Sequence, residues 1–485
     1  MPSPDGALPG ASGFSRRSLI RGASGIAAVA AAGAVSTRTA AAAVGPAEWA
    51  RLRGQLRGAL VLRGEPDYGA VKALVDPRFD DNAPLGVVRA AETGDVQAAV
   101  TFARGHGLPL AVRAGGHSFV GASAATGALV IDVRKLDKVG FDADHVTFGA
   151  GLTGLAALKE LVPSGLSLPV GTCSSVGLAG LTVGGGLGVD SRRYGMTCDR
   201  LVAAELVLPN GELVRVDATT PDLFWALRGA GGATGIVTSL TFRPIPAIAK
   251  DVIRLTFPGD QAARRVLEGW AQWMPVADRA VYARVDVVAT PDGPRCDVLI
   301  VCPAGAGGGV VRDLTTAVAT APTKEDHRTA LEHLAAVDDV NLDKPEAGTT
   351  RIAGSDVVAG LSPMVVNAIV DVIAARSRAN APGQVMVEPI DGAIREVMPG
   401  ASAFPWRAHA AALEWAVMTT GGFDEAYRWI TSANQALSPY SAGGYLNHVE
   451  PTDTVQRCFG PNFPRLQYIR QAIDPDRVLR WGING

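Results

Sequence analysis

Three stretches of this 485-residue chain carry residue types that could do chemistry. The first reads Arg113-Ala-Gly-Gly-His-Ser118, and the second reads Gly171-Thr-Cys-Ser-Ser-Val-Gly177, followed by Gly184-Gly-Gly-Leu-Gly188. The third is Tyr445-Leu-Asn447. An imidazole and a thiol can both act as nucleophiles, and a tyrosine can carry a proton if its ordinary pKa of about 10 is moved. Consecutive glycines let the main chain approach a ligand closely, and successive backbone N–H groups form a concavity suited to phosphate oxygens. The pattern fits an anionic ligand cradled beside His117 and Cys173. A Cys-His hydrolase with Cys173 as nucleophile is the alternative. The run Gly184–Gly188 does not meet the G-x-G-x-x-G spacing of a dinucleotide fold, and no buried strand leads into it.

Taken together with Ser191-Arg-Arg-Tyr-Gly195, Pro221-Asp-Leu-Phe-Trp-Ala-Leu-Arg-Gly229 and Gly235-Ile-Val237, these segments resemble the FAD-binding domain of the vanillyl-alcohol-oxidase superfamily (PCMH-type). Within it they are most similar to the berberine-bridge-enzyme-like oxidases. Tyr445-Leu-Asn447, Gly460-Pro-Asn-Phe-Pro-Arg-Leu466 and Asp474-Pro475 resemble that family's closing segment, although Cys458-Phe459 stands where an aromatic pair is usual. The resemblance implies FAD, bonded through its 8α-methyl carbon to His117 and through C6 to Cys173. It also implies cofactor contacts from Arg113, Gly115, Gly116, Ser118, Val176, Gly177, Gly180, Gly184, Gly185, Gly186, Tyr194, Gly195, Gly235, Ile236 and Asn447.

Hydride transfer to a flavin needs a substrate C–H held against the ring, and an alcohol also needs a base for its O–H proton. The resemblance assigns that role to Tyr445, over the flavin ring. A tyrosine base needs a cation, a second hydrogen-bond donor or the flavin's own field to ionise. Arg407 and His409 are candidate helpers. Glu388, Asp391 and Glu414 are alternative bases, each with an ordinary reading as a solvated surface carboxylate. Val176 matches the position where the family's oxidases carry valine and its poorly oxygen-reactive members carry leucine. The expected activity is a secreted oxidase acting on a small-molecule alcohol, sugar or glycosylated natural product, with O2 as acceptor. A flavin dehydrogenase with a quinone or protein acceptor is the alternative.

The composition is globular, with 47% hydrophobic and 19% charged residues. A formal net charge of -2 gives no general attraction to nucleic acid or anionic lipid. Ser15-Arg-Arg-Ser-Leu-Ile-Arg21 resembles a twin-arginine export signal, with an apolar run to about Val35 and small residues at Ala40 to Ala43 suited to cleavage. The run is too short for a stable membrane span, which needs about 20 residues. Bacterial export of a folded, cofactor-loaded protein follows. Of the five cysteines, Cys296 and Cys302 lie on one apparent strand about 20 Å apart, beyond disulfide reach. With Cys198 and Cys458 they read as buried thiols, and no cluster suggests a metal site.

The elements needed to position these residues are α+β. A helix from Pro46 with Leu52, Leu56 and Leu60 on one face is expected, then a strand near Val87 and a helix from about Asp95 to Arg104. A short strand at Leu110–Arg113 delivers His117, and another lies at Leu129–Asp132. Asn210-Gly211 marks a hairpin. Pro244 and Pro246 end a two-lobed FAD-binding domain spanning 44–246. Residues 247–439 form a substrate domain, with extended segments at Val281–Val288, Cys296–Val301, Gln384–Ile390 and Leu413–Met418 in an antiparallel sheet backed by helices such as Pro363–Arg376. Residues 440–485 return to the first domain.

Overall fold

The computed structural model describes residues 44–342 and 349–480. The twin-arginine motif and its cleavage residues lie outside them. The fold is α+β, with three main sheets.

The first sheet runs in the order Ala59–Leu62, Gly86–Arg89, Leu129–Asp132, Leu110–Arg113, with its last three strands mutually parallel. The helix Thr93–Gly105 makes the crossover those parallel strands require. The second sheet is antiparallel, in the order Val139–Phe141, Val146–Gly149, Ile236–Phe242, Leu201–Val207, Leu213–Asp217. Its last two strands form the hairpin at Asn210-Gly211, where Gly211 has φ of 89°. Leu110 and Ile131 of the first sheet share one buried cluster with Phe148, Leu206 and Leu240 of the second. Two lobes therefore enclose one core.

The first helix ends earlier than the leucine spacing predicts. It spans Pro46–Gln55, and Leu60 lies on the strand Ala59–Leu62. Gly58 sits between them so close to the next strand that a Cβ there would come within 1.9 Å of the Arg89 carbonyl oxygen. Backbone pairing, not helix propensity, decides the conformation beyond Gln55.

The third sheet has eight strands, all antiparallel, in the order Lys324–Leu331, Lys250–Pro258, Gly293–Pro303, Tyr282–Thr290, Gln384–Pro389, Ala411–Thr419, Thr350–Val358, Ser441–Gly443. Side chains alternate across it. Val285, Val287, Val385, Val387, Leu413 and Trp415 pack into one core with residues of the helices Asp260–Trp273, Gly307–Val318, Pro363–Arg378 and Phe423–Leu437. Residues of the opposite parity, including Arg284, Met386, Glu388 and Glu414, therefore face the two lobes. Ile245–Pro246 pairs with Leu166–Ser167 and stays with the lobes, so the large sheet begins at Lys250. Ser441–Gly443 still belongs to the large sheet, and the chain crosses back beyond it, reaching a parallel bridge between Leu479 and Leu110. No helix among the described residues is long and apolar enough to cross a membrane.

Candidate active site

The two nucleophile-bearing segments meet where neither has a side chain. A Cβ on Gly115 would lie 2.3 Å from the Gly177 nitrogen, and one on Gly177 would lie 2.4 Å from the Gly115 nitrogen. Glycine at both positions is thus a condition of the crossing, which brings the His117 and Cys173 turns to one rim. His117 Nε2 lies 2.7 Å from Ser175 Oγ. His117 and Cys173 line a cleft of about 360 Å³ that runs between the lobes and under the large sheet.

The cleft is long and apolar for most of its depth, with Val112, Ala114, Ala179, Val183, Ile236 and Val237 on its walls. Gly180 and Gly232 also line it, and a Cβ added at either would meet no atom within 4 Å. Small residues and apolar walls suit the ring system of a large cofactor. The imidazole and thiol at the rim supply two groups able to bond to it, so the residues present fit FAD. Of the expected cofactor contacts, Gly115, Gly116, His117, Ser118, Cys173, Val176, Gly177, Gly180, Gly235, Ile236 and Asn447 line this one cleft.

Other expected contacts lie behind its wall. Arg113 is buried in an ion pair with Asp132 at 2.7 Å and donates to the Ala73 carbonyl, fixing the strand that leads to His117. Gly195 has φ of 87° and ends the short helix Ser191–Tyr194, while the Tyr194 ring lies under Arg193. The Gly184–Gly186 run does not line the cleft, and its glycines have a steric cause. A Cβ on Gly184 would fall 1.9 Å from Asn447 Oδ1, and one on Gly186 would fall 2.2 Å from Thr197 Oγ1. The run lets the backbone lie against the Tyr445-Leu-Asn447 segment.

That contact holds Tyr445 by its hydroxyl. The buried phenol oxygen accepts from Gly186 N–H at 2.9 Å and from Asn447 Nδ2 at 3.0 Å, and Asn447 Nδ2 also faces the Leu181 carbonyl at 3.2 Å. Burial pushes the Tyr445 pKa above the ordinary tyrosine range, and the two donors pull against that shift. Of the three aids expected for a tyrosine base, a cation, a second hydrogen-bond donor or the flavin's field, the second donor is present, and burial outweighs it. The predicted helpers do not provide the cation. Arg407 is fully buried against Asp199 at 2.6 Å and stacks on Phe404, while His409 packs edge-on to Trp406.

Opposite the rim, the inward face of the large sheet closes the cleft with Arg351, Met386, Glu388 and Glu414. Glu388 and Glu414 are buried rather than solvated, because their strand positions point inward. Arg351 Nε donates to Glu414 Oε1 at 2.8 Å, and His448 Nδ1 lies 3.5 Å from Glu414 Oε2. Burial alone would raise the Glu414 pKa, but Arg351 and then His448 outweigh it and hold it at about 2. Glu414 is a poor proton acceptor in that state. Glu388 accepts from the buried Tyr282 hydroxyl at 2.7 Å. Asp391, the third alternative base, is also buried and pairs with Arg192 at 3.2 Å, outside the cleft.

The sequence reading missed Arg351, Tyr282 and His448. His448 is one residue beyond Asn447, and its ring packs edge-on to Tyr445 with centroids 5.0 Å apart. Its proximity to the motif was the available signal.

Comparison with known proteins agrees with this geometry. Residues 84–217 match the FAD binding domain family, and residues 444–484 match the family described as berberine and berberine like. These matches support a berberine-bridge-enzyme-like FAD-linked oxidoreductase. It is 28% identical over 452 residues to the uncharacterized FAD-linked oxidoreductase YgaK of Bacillus subtilis, covering 88% of this chain and 96% of that protein. It is 26% identical over 431 residues to the xylooligosaccharide oxidase of Thermothelomyces thermophilus, covering 82% and 86%. The solved structure of Physcomitrella patens BBE-like 1 has the same fold, with a TM-score of 0.78 at 22% identity over 89% of this chain and 98% of that one. The two matched regions contain the His117, Cys173 and Tyr445 segments. The Cys-His hydrolase alternative loses its support.

Proposed function

We propose that this enzyme is an exported oxidase that removes a hydride from an alcohol carbon of a sugar or glycosylated natural product and passes the electrons to O2 as hydrogen peroxide. FAD, when bound, supplies the hydride acceptor and the site of O2 reduction. The observation that carries the reading is Tyr445, whose hydroxyl is held by two donors in the same cleft as His117 and Cys173.

In this reading Tyr445 takes the substrate hydroxyl proton. Gly186 N–H and Asn447 Nδ2 stabilise the phenolate that accepts this proton, and the product of the step is the neutral phenol. Arg351 neutralises Glu414, so the carboxylate wall does not compete for that proton. His117 and Cys173 each hold the cofactor by a covalent bond, which fixes it against the rim and leaves the sheet side open to a bulky substrate. Val176 lines the cleft, and its β-branched methyls stay near the backbone, leaving the space that O2 needs. That favours the oxidase over a dehydrogenase with another acceptor. The similarity to an oligosaccharide oxidase supports a sugar substrate, and residues 1–43 are read as the export signal. Stopped-flow mixing of reduced enzyme with oxygenated buffer tests the reading. Rapid reoxidation with stoichiometric peroxide is expected, and sluggish reoxidation would favour the dehydrogenase.

A further inference from the structure

The Cys173 turn is held from outside its own domain. Ser174 N–H donates to Asn341 Oδ1 at 3.1 Å, and Asn341 Nδ2 donates to Ser174 Oγ at 2.9 Å. On the other side of Cys173, Leu342 N–H donates to the Thr172 carbonyl at 3.0 Å. Two adjacent residues thus grip the backbone on both flanks of the thiol. Cys173 itself is half-buried and follows no helix or strand, so nothing periodic in its own chain sets its direction.

Asn341 is in turn well anchored. It follows the helix His333–Asp339. At the start of that helix, the buried His333 has Nδ1 3.3 Å from the Ile248 carbonyl and Nε2 2.7 Å from Oγ of the buried Ser167. At its end, Asp339 pairs with Arg254 at 2.7 Å and with Arg328 at 3.2 Å on the first two strands of the large sheet. The helix therefore bridges Ser167 and Ser174, the two ends of the segment that carries Cys173, and is itself bolted to the substrate sheet.

We propose that Asn341 is the positioning residue for the Cys173 anchor, with the helix His333–Asp339 as the splint that carries it. The inference rests on the double attachment proposed above. Attachment at Cys173 replaces the thiol S–H and one ring C–H by an S–C bond and releases two electrons and two protons. O2, the acceptor of the proposed reaction, takes them as hydrogen peroxide. A bond of this kind forms only when sulfur and carbon are held at near-attack distance, and an unsupported turn would spend little time there. The His117 anchor needs no such clamp, because its turn is set by the strand Leu110–Arg113 and the Gly115–Gly177 crossing.

Trypsin separates the two anchors, His117 in peptide 114–134 and Cys173 in peptide 160–192. Doubly attached flavin joins them into one cross-linked species that mass spectrometry counts directly. In Asn341→Ala the cross-linked species should fall roughly ten-fold or more, while flavin on peptide 114–134 alone rises to match. Asn341→Asp keeps an acceptor for Ser174 N–H and for the Ser174 hydroxyl, and should restore the cross-link. Absence of the cross-link from the unmodified enzyme would refute the double attachment itself. A cross-link unchanged in Asn341→Ala, or loss of both attachments together, would overturn the positioning role alone.

Discussion

Tyr445 is the residue on which the proposed chemistry turns, and its two donors make a pH-dependent claim. Tyr445→Phe keeps the ring and its packing on Phe404, so flavin should stay bound while its reduction by substrate slows roughly 100-fold or more. Burial holds the phenol protonated, so reduction should accelerate as pH rises through the phenol's pKa. Asn447→Ala removes one of the two donors that favour phenolate. Its rising limb should therefore move to higher pH, read by anaerobic stopped-flow reduction across a pH series. A limb that stays in place would detach Asn447 from the base. Val176→Leu makes a separate claim: reoxidation by O2 should slow while substrate reduction stays nearly unchanged. Equal reoxidation in both proteins would remove Val176 from the argument.

Among the elements, the strands Thr350–Val358 and Ala411–Thr419 carry the ion pair that closes the cleft. Glu414→Gln leaves Arg351 without its counter-charge and should cost about 3 to 5 kcal/mol of stability, measured by denaturant unfolding. Because Glu414 is depressed below its ordinary carboxylate value, its contribution is complete above that ordinary value and fades as pH falls toward about 2. Unfolding of the variant should depend less steeply on pH across that window. Equal slopes would mean the pair stores no such energy.

The same elements show what a sequence can reveal. Strands with one apolar face, such as Tyr282–Thr290 and Ala411–Thr419, were legible from alternation. Thr350–Val358 was not, because its polar residues Arg351, Ser355 and Asp356 fall at both odd and even positions and break the alternation. Lys324–Leu331 was hidden for the opposite reason, being an exposed edge strand of mostly polar residues. Arg351 was missed with its strand. The His117 and Cys173 segments could be read because each glycine and nucleophile sits close in sequence, whereas the contacts of Glu414 with Arg351 and of Tyr445 with Gly186 span 63 and 259 positions. The glycines of Gly184–Gly186 were noticed for a ligand and prove to serve Asn447 and Thr197.

For the whole molecule, two lobes present a rim with His117 and Cys173, and an eight-stranded sheet presents a charged wall across a single cleft. In the proposed reading, anchoring from the rim leaves that wall to choose the substrate. The most direct test of this arrangement is the flavin absorbance left in acid-precipitated protein from the unmodified enzyme, His117→Ala, Cys173→Ala and the double variant. The colour should remain in the pellet for the first three and pass to the supernatant only for the double variant. Complete release from either single variant would contradict two-sided anchoring.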